Sequence, residues 1–233
     1  MIIITKVSVL LPTINEEKGI GKTIDSIKLN YFKKKGWELE IIIIDGCSTD
    51  KTQDIAKSKG AKVIVEKRKG YGRAYKTGIP KATGEIIVTG DADATYPFER
   101  IHKYIEILID ENLDFITTDR FAELRSGSMS VKHYFGNTVL SLVLRLLYFI
   151  KIKDSQSGMW IFRKKALTNL PPIEKFDDGM PFSEEIKIEM FRNKKVKSKE
   201  IPSALYAREG DVKLESFSDG WKNFLYLFIK AVR

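Results

Sequence analysis

The chain has 233 residues, of which 43% are hydrophobic and 11% aromatic, so the composition predicts one α/β domain with a sizeable core. Its formal net charge of +9 indicates an anionic partner, such as a phosphorylated substrate, an anionic lipid or a nucleic acid, although dispersed lysines can also form a plain solvated surface. The single cysteine, Cys47, excludes an intramolecular disulfide, and the two histidines, His102 and His133, lack the spacing of metal ligands.

The first residues give no sign of a targeting segment. Met1 leads directly into Ile2-Ile3-Ile4, so we expect no signal peptide. The apolar runs fall short of the roughly 18 residues that predict a transmembrane helix. With a single cysteine as well, these features predict a cytoplasmic protein.

Strand and helix patterns alternate through the first half of the chain. Predicted strands cover residues 6–11, 38–44, 62–66 and 85–89. The first strand leads into a helix that starts at Thr13-Ile14-Asn15-Glu16, the second into a helix capped by Ser48 or Thr49, and Pro97 opens a helix after the fourth. Residues 67–73 are predicted to form a basic loop containing glycines.

This alternation at short intervals predicts βαβ units and a mostly parallel, Rossmann-like sheet flanked by helices. Right-handed crossovers bring the carboxyl ends of such strands to one side. The turns at Thr13, Asp45, Arg68 and Asp91 should therefore converge on one crevice.

The second half is less regular. Residues 114–118, 159–162 and 196–201 have strand patterns, and residues 131–152, 182–192 and 221–233 have helical patterns. We find no internal repeat and no domain linker.

Two acidic residues, Asp91 and Asp93, directly follow the buried-strand pattern at 85–89. Ligands of open α/β sheets bind at the carboxyl ends of the strands. A carboxylate pair there suits a divalent cation that holds a substrate diphosphate. The alternative is that the two aspartates only turn the chain and cap the next helix.

Other residues of the predicted crevice suit a nucleotide sugar. Asp45 can accept hydrogen bonds from ribose hydroxyls or a base edge, and Arg68 and Arg73 can offset diphosphate charge. The alternatives are a turn residue for Asp45, a solvated loop at 67–73 and a tight turn at Gly70-x-Gly72, which lacks the third glycine of a dinucleotide fingerprint.

Several motifs occur in a fixed order along the chain. They are Pro12-Thr13-Ile14-Asn15-Glu16, Asp45 to Thr52, Arg68-Lys69-Gly70-x-Gly72-Arg73-Ala74, Asp91-Ala92-Asp93, Asp119-Arg120-Phe121, Gln156-Ser157-Gly158, Glu185 and Arg208-x-Gly210-x-x-Lys213-Leu214. In this order they resemble the family 2 glycosyltransferases of the glycosyltransferase-A (GT-A) fold, above all the polyprenyl-phosphate hexose synthases. The resemblance covers about residues 6–215, and its specificity comes from the combination rather than from any single motif.

The resemblance implies a role for each matching residue. The nucleotide sugar would be bound by Pro12, Thr13, Asn15, Glu16, Asp45, Arg68, Lys69, Gly70, Arg73, Asp91, Ala92 and Asp93. Asp91 and Asp93 would bind Mg²⁺ or Mn²⁺. The acceptor would be bound by Arg120, Gln156, Ser157, Arg208 and Lys213. The catalytic set would be Asp93, Arg120, Glu185, Arg208 and Lys213.

Two positions depart from the family pattern. Thr95 stands where mannose synthases often have a glutamine that contacts the metal, and Gly46 stands where a second aspartate is common. Both departures leave the nucleobase and the sugar open.

The activity implied by the resemblance is inverting, metal-dependent transfer of a hexose from a donor of the GDP-mannose or UDP-glucose type to a polyprenyl (dolichyl) phosphate. A phosphate acceptor is already anionic at neutral pH, so no strong general base is required. Glu185 can orient sugar hydroxyls, serve as the base for a glycan or alcohol acceptor, or be only an acid favoured at a helix N-terminus. A non-catalytic anion-binding module is the third hypothesis, and no nucleic-acid partner is expected.

Two apolar segments, 139–150 and 221–233, suit helices that lie on an anionic membrane surface, with core helices as the alternative. We therefore predict a glycosyltransferase domain at 1–215, with a nucleotide-sugar-binding half at 1–120 and an acceptor-binding half at 121–215. A C-terminal amphipathic helix at 216–233 would place the protein peripherally on the inner face of the membrane. The end of the chain also fits a cut before a membrane segment of a longer protein.

Overall fold

The computed structural model describes residues 5–210 and 216–231. Within these residues, seven strands form one sheet, in the spatial order β3-β2-β1-β4-β6-β5-β7. The strands are β1 (Lys6–Thr13), β2 (Glu38–Asp45), β3 (Lys62–Val65), β4 (Ile86–Thr89), β5 (Phe115–Leu124), β6 (Trp160–Arg163) and β7 (Ser198–Leu205). β6 pairs antiparallel with β4 and β5, and the other pairs are parallel. Six strands therefore end at one edge, as the alternating pattern predicts.

Helices cover both faces of this sheet. They are α1 (Ile20–Ser26), α2 (Leu29–Lys35), α3 (Thr52–Ser58), α4 (Tyr71–Lys81), α5 (Ile101–Asp110), α6 (Val131–Tyr148), α7 (Pro181–Arg192) and α8 (Ser216–Ala231). Along β1, Val9 and Leu11 join the core under α1, α3 and α5, whereas Leu10 joins the core under α4 and α7. This alternation follows from the two-residue period of a strand.

The sheet register aligns the ends of the first two strands. Thr13, the last residue of β1, pairs with Asp45, the last residue of β2. β4 is buried along its whole length, which its β-branched sequence favours, and it lies directly beside β1. The segments that follow β1, β2 and β4 therefore open onto the same crevice.

Some local predictions were wrong. Residues 71–73, expected in a loop, form the first turn of α4, where Gly72 packs against Phe182 and Gly78 against Ile44. Close tertiary packing of these glycines thus overrides their weak helix propensity. α2 was not predicted.

Three element boundaries also differ from the sequence prediction. At the start of α3, the Thr52 N–H donates to the Asp50 carboxylate rather than to Ser48 or Thr49. The Ser48 N–H and hydroxyl donate instead to Asp45. β5 continues through an irregularity to Leu124 instead of ending near residue 118, and α6 ends at Tyr148 rather than near 152.

The last helix, α8, packs on α6 and α7. Leu227 of α8 is fully buried beside Leu144 and Tyr148 of α6 and Ile188 of α7. The Tyr148 hydroxyl donates to the Leu227 carbonyl at 2.6 Å. Among the helices that the structure describes, none combines the length and the apolar character needed to cross a bilayer.

Candidate active site

Asp93 lies at the carboxyl edge of the sheet, four residues beyond the end of β4, and only 3% of its surface is exposed. One carboxylate oxygen accepts from the Arg208 guanidinium at 2.6 Å. The other accepts from the Thr95 hydroxyl at 2.6 Å and from the Thr95 N–H at 3.1 Å. Thr95, the position that departs from the family pattern, therefore orients the carboxylate of Asp93.

Asp91, two residues earlier, is less tied. Within the described residues, no hydrogen bond or ion pair engages its carboxylate. Burial and the neighbouring charge of Asp93 raise the pKa of Asp91 to about 7, against the opposing effect of Arg120 and Arg208. A cation bound nearby would stabilise the ionised form of this carboxylate.

These two acids fit a divalent metal of the Mg²⁺ type. In the part of the chain that the structure describes, no cluster of three or more His, Cys, Asp or Glu side chains forms a complete protein metal site. Mg²⁺ commonly takes one or two carboxylates and completes its shell with water and substrate phosphate oxygens. Asp91 and Asp93 would supply the protein share of such a site.

Arg208 connects the acidic pair to the first strand. Its guanidinium donates both to Asp93 and to Glu16, which follows the end of β1. Glu16 is in turn fixed through its N–H, which donates to the Thr52 hydroxyl at 2.7 Å. Asn15 and Glu16 line a cavity of about 260 Å³ together with Thr49 and Gly210.

The residues predicted to contact the nucleoside form a tight network. Asp45 is fully buried and accepts from the Ser48 N–H at 2.9 Å and from the Gln53 amide at 2.7 Å. The Asn15 N–H donates to Ser48, and the Thr13 hydroxyl donates to the Leu11 carbonyl. Asp45 thus organises the turn after β2, and its contact with a nucleoside stays a prediction. Gln53 was not singled out from the sequence, although it lies in the first turn of the following helix.

The predicted basic residues are paired with acids of the protein. Arg68 forms a bidentate pair with Glu66, at 2.8 and 2.6 Å, and its side chain is largely exposed. Arg73 donates to Glu174 at 3.2 Å and to Asp178 at 2.8 Å. Because each of these arginines already pairs with acids of the protein, its contact with the diphosphate stays a prediction.

A segment at 174–180 is strapped across the start of α4. The Lys76 ammonium donates to the carboxylate of Asp178 at 2.8 Å and to the carbonyls of Glu174 and Phe176. At Gly70, which has φ +133°, a Cβ would lie only 2.1 Å from the Asp178 carbonyl oxygen. Gly70 therefore serves close packing of this strap. Lys76 was missed from the sequence because its partners lie about 100 positions away.

On the acceptor side, Arg120 is held by a residue that the sequence prediction passed over. Asp154 is fully buried and forms a bidentate pair with the Arg120 guanidinium, at 2.6 and 2.9 Å. The negative charges of Asp154 and Asp91 raise the pKa of Arg120. Arg120 thus lies near enough to Asp91 for the two charges to influence each other.

Gln156 and Ser157 face inward. The Ser157 hydroxyl is buried and shares a hydrogen bond of 2.7 Å with Thr118. The Gln156 amide donates to Ser155 and Glu184. After them, the Gly158 N–H donates to the Tyr96 hydroxyl at 2.6 Å. Acceptor contacts by Gln156 and Ser157 stay predictions.

Glu185 is buried and both of its oxygens are engaged. One accepts from the Asp177 N–H at 2.9 Å, and the other pairs with Lys230 of α8 at 3.1 Å. A carboxylate held this way fastens three segments together. Lys213, the remaining predicted catalytic residue, lies outside the described residues.

The chain matches known proteins in sequence and in fold. The family model described as Glycosyl transferase family 2 matches residues 8–170. The low-salt glycan biosynthesis hexosyltransferase Agl6 of Haloferax volcanii is 34% identical over 226 residues, which are 96% of this chain and 53% of that protein, so the chain spans about half of its length. The dolichyl-phosphate hexose transferase of the same organism is 28% identical, over 91% of this chain and 88% of that protein.

The solved structure of glucosyl-3-phosphoglycerate synthase from Mycobacterium tuberculosis with uridine diphosphate superimposes with a TM-score of 0.76, over 97% of this chain and 80% of that one, at 21% identity. This likeness concerns the fold. It confirms the single α/β domain of GT-A type that the sequence predicts.

Proposed function

The chain belongs to glycosyl transferase family 2, and from this membership we propose that it transfers a hexose from a nucleotide-diphosphate sugar to a polyprenyl phosphate. The observation that carries the proposal is the pairing of Asp93 with Arg208 at the carboxyl edge of the sheet, with Asp91 two residues away and under the electrostatic influence of Arg120. Two acids suit a cation, and two guanidiniums suit phosphate oxygens. Such a site can hold two phosphorylated substrates at once.

On the donor side, Asp91 and Asp93 would hold Mg²⁺ or Mn²⁺ against the diphosphate. When bound, the metal would stabilise the charge of the departing nucleoside diphosphate. Solved structures of the mycobacterial synthase contain UDP with Mn²⁺ or Mg²⁺, which supports this choice of cofactor. Thr95 would keep one oxygen of Asp93 in place, and Arg208 would exchange part of its pairing with Asp93 for the phosphate.

On the acceptor side, a phosphate ion pair with Arg120 would position the nucleophile. Asp154 holds the guanidinium by its Nε and one terminal nitrogen, so the other terminal nitrogen can turn to a ligand. The acceptor phosphate is anionic and attacks without a base. The chemistry would then rest on in-line positioning and charge stabilisation.

The state of Glu185 favours the phosphate acceptor over an alcohol. A general base must lie within reach of the alcohol, whereas Glu185 is 5% exposed and its two oxygens are turned to the Asp177 N–H and to Lys230. The names of two relatives also support a lipid phosphate. They are the dolichyl-phosphate hexose transferase and a UDP-N-acetylglucosamine–dolichyl-phosphate N-acetylglucosaminyltransferase from Methanococcus voltae, the latter 30% identical over 68% of this chain.

A lipid acceptor requires access to a membrane, and two helices present exposed apolar side chains. On α6 these include Phe135, 69% exposed, and Leu146, 65% exposed, and Phe149 directly after the helix is 90% exposed. On α8, Trp221 and Phe228 are exposed. We propose that these side chains rest on an anionic membrane surface, toward which the +9 charge draws the protein.

The test is a transfer assay. Purified protein is incubated with labelled GDP-mannose, UDP-glucose or UDP-N-acetylglucosamine, with Mn²⁺ or Mg²⁺, and with polyprenyl phosphate. The expected result is labelled product in the chloroform phase, lost on chelation of the metal and in Asp91→Asn, and retained in the exposed control Asp110→Asn. Absence of product with every donor would refute the proposal.

A further inference from the structure

The side of α8 that faces the protein carries two polar residues, and both hydrogen-bond residues of the candidate site. Asn223, Leu227 and Lys230 follow the spacing of one helix face, and all three turn toward the protein. Leu227 fills the apolar core between α6 and α7. Asn223 and Lys230 instead make hydrogen bonds, to Gln156 and to Glu185.

Gln156 is held from opposite ends of its amide. Its nitrogen donates to the Glu184 carboxylate of α7 and to the Ser155 hydroxyl at 2.8 Å. Its oxygen accepts from the Asn223 amide at 3.1 Å. Glu184 and Asn223 are both buried, so water does not compete for these bonds.

The turn that contains Gln156 is the same turn that holds Arg120. Asp154 forms the bidentate pair with Arg120, and its other neighbours in the turn are fixed from several elements. The Ser155 N–H donates to Ser141 of α6 at 2.9 Å, and the Ser155 carbonyl accepts from Lys187 of α7 at 2.5 Å. Asp154 and Ser155 are fully buried. A shift of this turn would therefore move Arg120.

We propose that Asn223 and Glu184 are positioning residues for acceptor binding: they fix the Gln156 amide, and through it the turn that sets Arg120. The inference rests on the proposed function in that Arg120 is taken to meet the acceptor phosphate. Under this proposal α8 helps to order the acceptor site, in addition to any contact of its outer face with lipid.

The first experiment compares wild type with Asn223→Ala, Gln156→Ala and the double variant. Asn193→Ala is the matched control. The Asn193 amide also donates to a carbonyl, that of Asn169, but Asn193 follows the C-terminal end of α7, whereas Glu184 lies in its first turn. Steady-state kinetics with a short-chain polyprenyl phosphate separate acceptor binding from attachment to a bilayer. We expect the acceptor KM of Asn223→Ala to rise roughly fivefold, with a donor KM within about twofold of wild type.

The double variant tests whether the two residues act through one bond. Its acceptor KM should match that of Gln156→Ala, since removing both partners of one interaction is not additive. At position 184, Glu184→Gln keeps an acceptor for the Gln156 amide and should preserve the acceptor KM, whereas Glu184→Met should raise it. Multiplied effects in the double variant, or an unchanged acceptor KM in Asn223→Ala, would overturn the inference.

Amide hydrogen exchange supplies a readout that does not depend on activity. Exchange at residues 154–158 should be faster in Asn223→Ala than in wild type and unchanged in Asn193→Ala. If wild type transfers no sugar to a lipid phosphate, the proposed function fails, and the exchange result still decides whether Asn223 holds the turn. Equal exchange in all three proteins rejects that role.

Discussion

The Arg208 guanidinium donates to the Asp93 carboxylate at 2.6 Å, and so joins the segment after β7 to the acidic pair after β4. The same guanidinium pairs with Glu16 after β1. Three chain segments that are far apart in sequence are thus held at one point by a single cation. In the proposed reaction, which would bring a metal and two phosphates to this point, Arg208 could exchange partners without leaving the site.

The Arg208 contact predicts a test of stability. Arg208→Met removes the cation between two largely buried carboxylates, and loss of one partner of a buried ion pair costs about 3 kcal/mol. The midpoint of thermal unfolding should therefore fall in metal-free protein. Addition of Mn²⁺ should raise the midpoint more in Arg208→Met than in wild type. The control is Arg125→Met, which removes an exposed arginine paired with Glu123. An unchanged midpoint in Arg208→Met would show that the bridge is not a structural element.

Gly158 permits the close approach of Tyr71, Tyr96 and Asp91. A Cβ at this position would lie 2.8 Å from the Tyr71 hydroxyl oxygen, 3.3 Å from that of Tyr96 and 3.6 Å from a carboxylate oxygen of Asp91. Gly158→Ala should lower kcat about 100-fold, because the Tyr71 hydroxyl or the backbone at residue 158 must shift beside Asp91, and a displacement of about 1 Å next to a proposed metal ligand can cost that much.

The additional change Tyr71→Phe removes the atom that meets the Cβ first, so Gly158→Ala/Tyr71→Phe should recover most of the lost kcat. Tyr71→Phe alone and Gly136→Ala are the controls, since a Cβ at Gly136 meets open space. If the double variant remains as slow as Gly158→Ala, the clash with Tyr71 is not the cause.

The sequence could predict the parts of the site that depend on local pattern. Alternating strands and helices indicate the sheet, and the sheet brings the turns at Thr13, Asp45 and Asp91 to one edge. The sequence could not predict which charges pair. Arg73 meets Asp178, and Arg120 meets Asp154, across 105 and 34 positions, and such pairing is fixed by tertiary packing.

Helix α4 was missed for a related reason. Its sequence contains Gly72, Gly78 and Pro80, which are unfavourable in isolated helices. In the fold, Gly72 and Gly78 admit Phe182 and Ile44, so that packing stabilises what local propensity does not. Helix propensity, which depends only on local sequence, does not include this stabilisation by packing.

The buried Glu184 predicts how stability depends on pH. Burial raises the pKa of Glu184 to about 8, whereas an unfolded glutamate has a pKa of about 4.3. Between these values the folded state keeps a proton that the unfolded state has lost, so rising pH destabilises the fold through this group. Relative to wild type, the unfolding free energy of Glu184→Gln should therefore rise with pH between about pH 5 and 8 and level off above pH 8.

Denaturant unfolding at several pH values measures this difference for Glu184→Gln. Burial also lowers the pKa of Lys187, to about 7, and the charge of Glu184 opposes that shift, so the comparison reports the titration of the Glu184–Lys187 pair. Glu111→Gln, an exposed acid paired with Lys199, is the control and should show no such trend. A pH-independent difference for Glu184→Gln would mean that Glu184 titrates alike in both states.

Glu185 distinguishes the two acceptor classes. Glu185→Gln removes the charge that pairs with Lys230 but keeps the size of the side chain and an oxygen for the Asp177 N–H. With a phosphate acceptor, kcat should fall less than about tenfold, because no base is needed. Loss of about 1000-fold or more would instead assign Glu185 as the base and favour a glycan or alcohol acceptor. The measurement is initial-rate transfer to polyprenyl phosphate across pH 6 to 9.

The exposed side chains of α6 and α8 predict how tightly the protein binds a bilayer. Each large apolar side chain that enters lipid with about half or more of its surface exposed contributes on the order of 1 kcal/mol or more. The triple variant Leu146→Ser/Phe149→Ser/Phe228→Ser should therefore bind vesicles containing anionic lipid about 100-fold more weakly, in a sedimentation assay. The control Leu29→Ser/Val65→Ser removes two side chains that are each 47% exposed but belong to α2 and β3, and it should bind as wild type does.

Binding should also weaken as salt rises, because the basic surface contributes. Equal losses in the triple variant and the control would mean that the two helices do not form the contact, whereas a loss confined to the triple variant assigns the lipid-facing side of the molecule.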